Sequence, residues 1–124
     1  MNYALARDQY RSSRTAGLSE LSNPHEMISL TLAELRKSVA YLAREGEKPA
    51  EIKSRHISRA LTAVYVLQTS LDFDRGGEIA NNLFRLYEFC RQQLLREVKA
   101  DGAGRLVECR DVLEDILDAW QSMT

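Results

Sequence analysis

The chain is short of the residues that build most chemical sites. Two cysteines, two histidines, two prolines and one tryptophan are spread over 124 residues. Cys90 and Cys109 sit in no CxxC, and two thiols alone do not make a zinc site. They fall on apolar seams, where a free cysteine acts as a small hydrophobe. His25 and His56 stand outside any Glu-x-x-His, which excludes a di-iron bundle. Gly76-Gly77 lacks the following Gly-Lys-Ser/Thr of a phosphate loop, and no serine, histidine and carboxylate fall into a triad. No catalytic residue, cofactor or metal is therefore expected, and the chain is not expected to be an enzyme. Charge of one sign is also missing: 17 basic residues face 18 acidic ones, for a net charge of −1. No long-range field favours nucleic acid or an anionic membrane. The apolar runs are only a few residues long, so membrane insertion is not expected. The opening MNYALARDQYRSS has no basic region leading into an apolar stretch, so it is no secretory signal, and with so little cysteine a reducing cytoplasm is the expected compartment.

What is present is helical. With 44% hydrophobic and 28% charged residues the chain can form a core and is not disordered throughout. Few glycines and prolines favour helices over a sheet. The spacing predicts an all-α, antiparallel four-helix bundle over 23–124, preceded by a cap segment at 1–22. In that segment Tyr3 and Tyr10 are seven apart and would share a helical face, whereas Ser12-Ser13 and Gly17 are poor helix interiors. A short helix followed by a link is the expectation. Arg7, Arg11 and Arg14 read as a solvated face, because no aromatic residues interleave with them as a nucleic-acid platform requires.

Helix one opens at Asn23 and Pro24, a capping residue followed by a first-turn proline, with Glu26 at the positive end of the dipole. Its seam is Ile28, Leu32, Leu35, Val39 and Leu42, and Gly46 and Pro49 end it. Helix two is expected from about Ala50 to Leu71, with Ile57, Ala60, Val64, Leu67 and Leu71 in one stripe. Arg75-Gly76-Gly77 is expected to break the chain, one glycine closing helix two in a left-handed conformation. Asp72 and Asp74 are placed to cap backbone groups nearby. Helix three then follows the glycines, with a seam of Ile79, Leu83, Leu86, Cys90, Leu94 and Val98. A turn at 101–104 leads to helix four, with Leu106, Cys109, Leu113, Ile116 and Trp120 inward. Helices two and three carry more apolar surface than one seam uses, in Tyr65, Val66, Phe84, Tyr87 and Phe89. A wide core and a groove for a partner's helices both account for that surplus, and periodicity does not separate them.

The stretch SLDFDRGGEIANNLFRLYEF, residues 70–89, carries many residue types at fixed spacing. It resembles the pattern of the flagellar export chaperones of the FliS family. Tyr3-Ala4 and Tyr10, Arg14-Thr15-Ala16, Asn23-Pro24 with Glu26-Met27-Ile28, and Ala119-Trp120 extend the resemblance along most of the chain. The family often has Leu-Tyr-Asp-Gly where this chain reads Thr31-Leu32-Ala33-Glu34, and Ala-Asn where it has Arg96-Glu97.

The resemblance implies a cytoplasmic helical bundle that binds the disordered C-terminal segment of flagellin in apolar grooves. It implies that covering this segment prevents premature polymerisation and aids delivery to the flagellar type III secretion apparatus, with further export components as partners. On that reading Leu67, Leu71, Ile79, Leu83, Leu86 and Tyr87 are groove contacts or their immediate support. Tyr10 would fold over the empty groove. Two other readings stay open: a helical phosphotransfer module using His56, and a structural homodimer through the same apolar face.

Overall fold

The computed structural model describes residues 23–99 and 105–123. The expectations for the cap segment, including Tyr3, Tyr10 and the three arginines, lie outside the described residues, as does the turn at 101–104. The described chain forms four helices: α1 (Pro24–Ala43), α2 (Ala50–Thr69), α3 (Phe73–Val98) and α4 (Leu106–Gln121). They make the expected all-α bundle. Around the bundle α1 packs on α2 and α4, and α3 packs on α2 and, least extensively, on α4. Short connections turn each helix back along its predecessor.

The start of α1 follows from its first residues. The Asn23 side chain accepts a hydrogen bond from the Glu26 amide at 2.8 Å, and Pro24 fills a position that needs no amide hydrogen. Leu32, Leu35, Val39 and Leu42 are buried as the spacing predicts. Two hydroxyls go in with them. Thr31 donates to the Met27 carbonyl at 2.9 Å, and Ser38 lies 3.1 Å from His56 Nδ1 on α2. Each buried polar group is thereby paired, which avoids the cost of burying it alone.

The junction between α2 and α3 differs from the sequence expectation. α2 stops at Thr69, and the Ser70 amide donates back to the Val66 carbonyl at 3.0 Å. No glycine closes it. α3 begins four residues before the second glycine, because Asp72 Oδ1 accepts from the Asp74 and Arg75 amides at 3.1 and 3.0 Å. The glycines lie inside α3 and kink it. Gly77 has φ 49° and ψ −118°, a region closed to side-chain-bearing residues. At Gly76 the reason is space: a Cβ there would meet the Ala80 Cβ at 2.9 Å.

The seam of α3 is also displaced. Ala80, Leu83, Tyr87, Cys90 and Leu94 turn inward, stepping three, four, three and four, whereas Ile79, Leu86 and Val98 are exposed. Both sets have helical spacing and share Leu83, Cys90 and Leu94. The small Ala80 and the aromatic Tyr87 decide the side, since α3 has neighbours at its α2 edge and, beyond Gly77, little cover at the other. In α4, Leu106, Cys109, Leu113 and Leu117 are buried, and Ile116 and Trp120 pack partly against the core.

Candidate partner groove

The side of α3 that faces each neighbour can be read from its polar contacts. Gln68 of α2 donates to the Phe84 carbonyl at 3.5 Å and to the Glu88 carboxylate at 3.3 Å, which marks the α2 side. Arg91 completes that edge by pairing with Glu88 at 2.6 Å, and these bonds hold the Glu88 carboxyl below its ordinary pKa. Gln93 marks the α4 side: its Oε1 accepts from the Arg105 amide at 3.0 Å, and the Arg105 guanidinium lies 5.8 Å from the centre of the Phe89 ring.

Seven residues return a helix almost to the same side. On α3 the line through Gln93 therefore continues through Leu86 to Ile79. Their exposures rise along it, from 4% to 36% to 71%. The facing line on α4 starts at Cys109, which is buried and neighbours Cys90 of α3. It continues through the half-buried Ile116 to Met123, just past the helix, which is 69% exposed. The two helices run in opposite directions, so both lines emerge at the same end of the bundle. By this seven-residue spacing the seam between α3 and α4 is buried at Gln93 and Cys109, and its other end carries the exposed apolar residues Ile79, Leu86 and Met123, a candidate apolar wedge. Leu83, half-buried against the core, supports its α3 wall.

The sequence-predicted contact residues divide across this geometry. Ile79 and Leu86 stand on the wedge wall. Leu83 and Leu71 are half-buried and pack against the core. Leu67 and Tyr87 are fully inside and form the support beneath. Tyr10 lies outside the described residues. Of the apolar surplus, Tyr65 and Phe84 are exposed at the α2–α3 edge, where the Phe84 ring tilts against Phe73 with centroids 6.1 Å apart. Met123 was missed by sequence reasoning, and the signal for it was its place fourteen residues beyond Cys109 on the same line.

The remaining reactive groups have structural partners. Burial and the neighbouring Cys90 push the Tyr87 phenol up to about 12. Donation of the Cys109 S–H toward Cys90, together with burial, pushes the Cys109 thiol upward, the opposite of what a reactive cysteine needs. The His56 ring stacks on Tyr41 at 4.3 Å, with Nδ1 beside the Ser38 hydroxyl. Among the described residues no three potential metal ligands lie together, and no helix is long and apolar enough to cross a membrane.

Comparison with known proteins places the sequence among flagellar chaperones. The family model described as flagellar protein FliS matches residues 6–124. The flagellar secretion chaperone FliSB of Pseudomonas aeruginosa is 30% identical, over 98% of both chains. The flagellar secretion chaperone FliS of Salmonella typhimurium is 28% identical, over 83% of this chain and 78% of its own. That of Vibrio cholerae is 24% identical, over 85% and 79%. No solved structure matches. The matched family covers nearly the whole chain, from before α1 to the end of α4, and the chain belongs to the FliS family of flagellar secretion chaperones.

Proposed function

We propose that this chaperone binds the C-terminal segment of flagellin in the wedge between α3 and α4, in the cytoplasm and without catalysis. Covering that segment keeps flagellin from polymerising early, and the complex delivers it to the flagellar type III secretion apparatus. The observation that carries this reading is the paired rise in exposure along Gln93, Leu86 and Ile79 and along Cys109, Ile116 and Met123. A core residue has no reason to follow that gradient. A groove that receives an amphipathic helix does, because its walls must be apolar and reachable. A client that is disordered alone must offset its ordering entropy with apolar burial, and two opposed apolar lines supply it. Residues 1–22 form a cap segment in this scheme, with Tyr10 covering the empty groove and leaving when the client arrives.

Titration of a flagellin C-terminal peptide, by calorimetry and by size-exclusion chromatography, tests the proposal. The wild-type chain should form a defined complex. Changing Ile79 and Leu86 together to serine removes about 2 kcal/mol or more of apolar burial, roughly a thirtyfold rise in Kd. Because both residues are exposed, the melting temperature should hardly change. A chain that ignores the peptide and instead forms a tight dimer would favour the homodimer reading. An acid-labile phosphoryl label on His56 after incubation with a phosphodonor would favour the signalling one.

A further inference from the structure

The outer face of α1 carries a second surface, chemically unlike the wedge. A shallow concavity of about 430 Å³ is lined by Arg36, Lys37, Ala40 and Tyr41 of α1, Arg44 at its C-cap, His56 of α2 and Arg110 of α4. Among the described residues no carboxylate lines it. Arg110 has Asp111 at 3.1 Å as its counter-ion, but Arg36, Lys37 and Arg44 have no ion pair among the described residues. Arg44 lies 5.8 Å from the centre of the Tyr41 ring, and Tyr41 in turn stacks on His56. The charge is concentrated there: besides burial, Arg59, Lys37 and Arg55 all act on His56 and hold its pKa below the ordinary histidine value. Arg55 is partly offset by Glu51 at 3.7 Å. Glu34 of α1 and Glu45, just past its end, do not line the concavity.

In a chain of net charge −1, three uncompensated cations in one hollow are a local segregation of charge that folding does not require. We infer that this face docks an acidic segment of a protein partner, a stretch of Asp and Glu side chains lying along α1 from Arg36 to Arg44. The cations recur over two helical turns, about 12 Å, which suits carboxylates spaced along a peptide better than one small anion. The arginines offer planar, fork-shaped donors that match carboxylates. Ala40, a small residue among those that line it, leaves room for a backbone to approach. Nucleic acid fits less well. The one stacked pair, Tyr41 and His56, is turned on itself and offers no row of faces for bases, and the overall charge gives no attraction at a distance. The site lies on helices other than the α3 wall of the wedge, so it does not depend on the flagellin reading.

The test is a titration of the full chain with an end-capped octaglutamate peptide, followed by amide NMR at low and at high salt, with single-stranded oligothymidylate in a parallel arm. Shifts should centre on residues 36–44, His56 and Arg110, and fade at high salt as exposed charges are screened. The double variant Lys37→Glu/Arg44→Glu should weaken peptide binding by about tenfold or more. Arg96→Glu/Lys99→Glu, an equal change in net charge at the far end of α3, should alter it by less than about twofold. The neutral pair Lys37→Gln/Arg44→Gln should weaken it as well, which keeps the test decisive if the reversed charges disturb the fold. Equal loss in the α3 control, absence of peptide binding at low salt, or tighter binding of the oligothymidylate at the same residues would each overturn the proposal.

Discussion

The last turns of α4 are finished differently on their two sides. Toward α1 they are locked. The Trp120 indole stacks on the His25 ring with centroids 4.7 Å apart and planes within 10°. Trp120 Nε1 donates to the His25 carbonyl at 3.0 Å, and His25 Nε2 donates to the Trp120 carbonyl at 2.8 Å. On the side read as facing α3 the same turns are less covered: Ile116 is half-buried and Met123 exposed, as is Ile79 of α3. The difference shows how a small bundle can leave apolar surface free without losing a helix. α4 is held at this end by α1, and at its other end by the Arg105–Gln93 bond and the Cys90–Cys109 contact. It therefore has no need of the residues along the wedge, and those residues are available to a partner.

The comparison is broken most severely from its locked side. Trp120→Ala removes a stacked ring and an indole hydrogen bond, and should cost about 3 kcal/mol in urea unfolding. It should also loosen α4 on the wedge side, so client affinity should fall although Trp120 is not on the wedge lines. Loss of stability with unchanged affinity would mean that the two sides of α4 are independent.

The support beneath the wedge can be probed by pH. Tyr87 is neutral in the fold and its pKa is raised from 10.0 to about 12, by burial first and by Cys90 second. A raised folded pKa gives stability that is fully present below pH 10 and is lost as the pH climbs toward 12. The loss is roughly 2–3 kcal/mol, an order of magnitude that follows from two pKa units. Tyr87→Phe should flatten this part of the stability profile. A profile as steep in the variant as in the wild type would place the sensitive group elsewhere.

The wedge wall depends on the kink that precedes it. Gly77→Ala forces a side chain into φ 49°, ψ −118°, and should destabilise by about 1–3 kcal/mol, toward the lower end where the turn can relax. Gly76→Ala meets Ala80 instead, at an inward position, and should disturb the packing of α3 rather than its kink. Melting curves of the two variants, beside client titrations, separate those effects.

The locked side was far more legible in sequence than the open one. Asn23-Pro24 announced the start of α1, and the three-four spacing placed most of the buried residues of α1 and α4, although in α4 Leu117 is buried and Ile116 and Trp120 only partly so. Those signals are local, and both helices have packing partners along one clear stripe. α3 misled because it has two apolar stripes that share Leu83, Cys90 and Leu94. Hydrophobicity ranks Ile79 and Leu86 above Ala80, yet Ala80 goes inside, close against Gly76 at the kink. The glycine pair was recognised as a bend, but its place inside α3 depends on the Asp72 cap, and a cap competes with a loop by only about 1 kcal/mol. The misassigned stripe proved the informative one: residues that look like core and are not buried are candidates for a partner's surface.

Mapping the client onto the bundle tests the central claim most directly. In a methyl NMR titration with a flagellin C-terminal peptide, the wedge reading predicts the largest changes at Ile79, Leu83, Leu86, Ile116 and Met123, with Leu35 and Val39 in the core nearly unmoved. Changes concentrated instead at Leu61 and Val66 of α2, with Ile79 and Met123 silent, would contradict it and move the client to the opposite edge of α3.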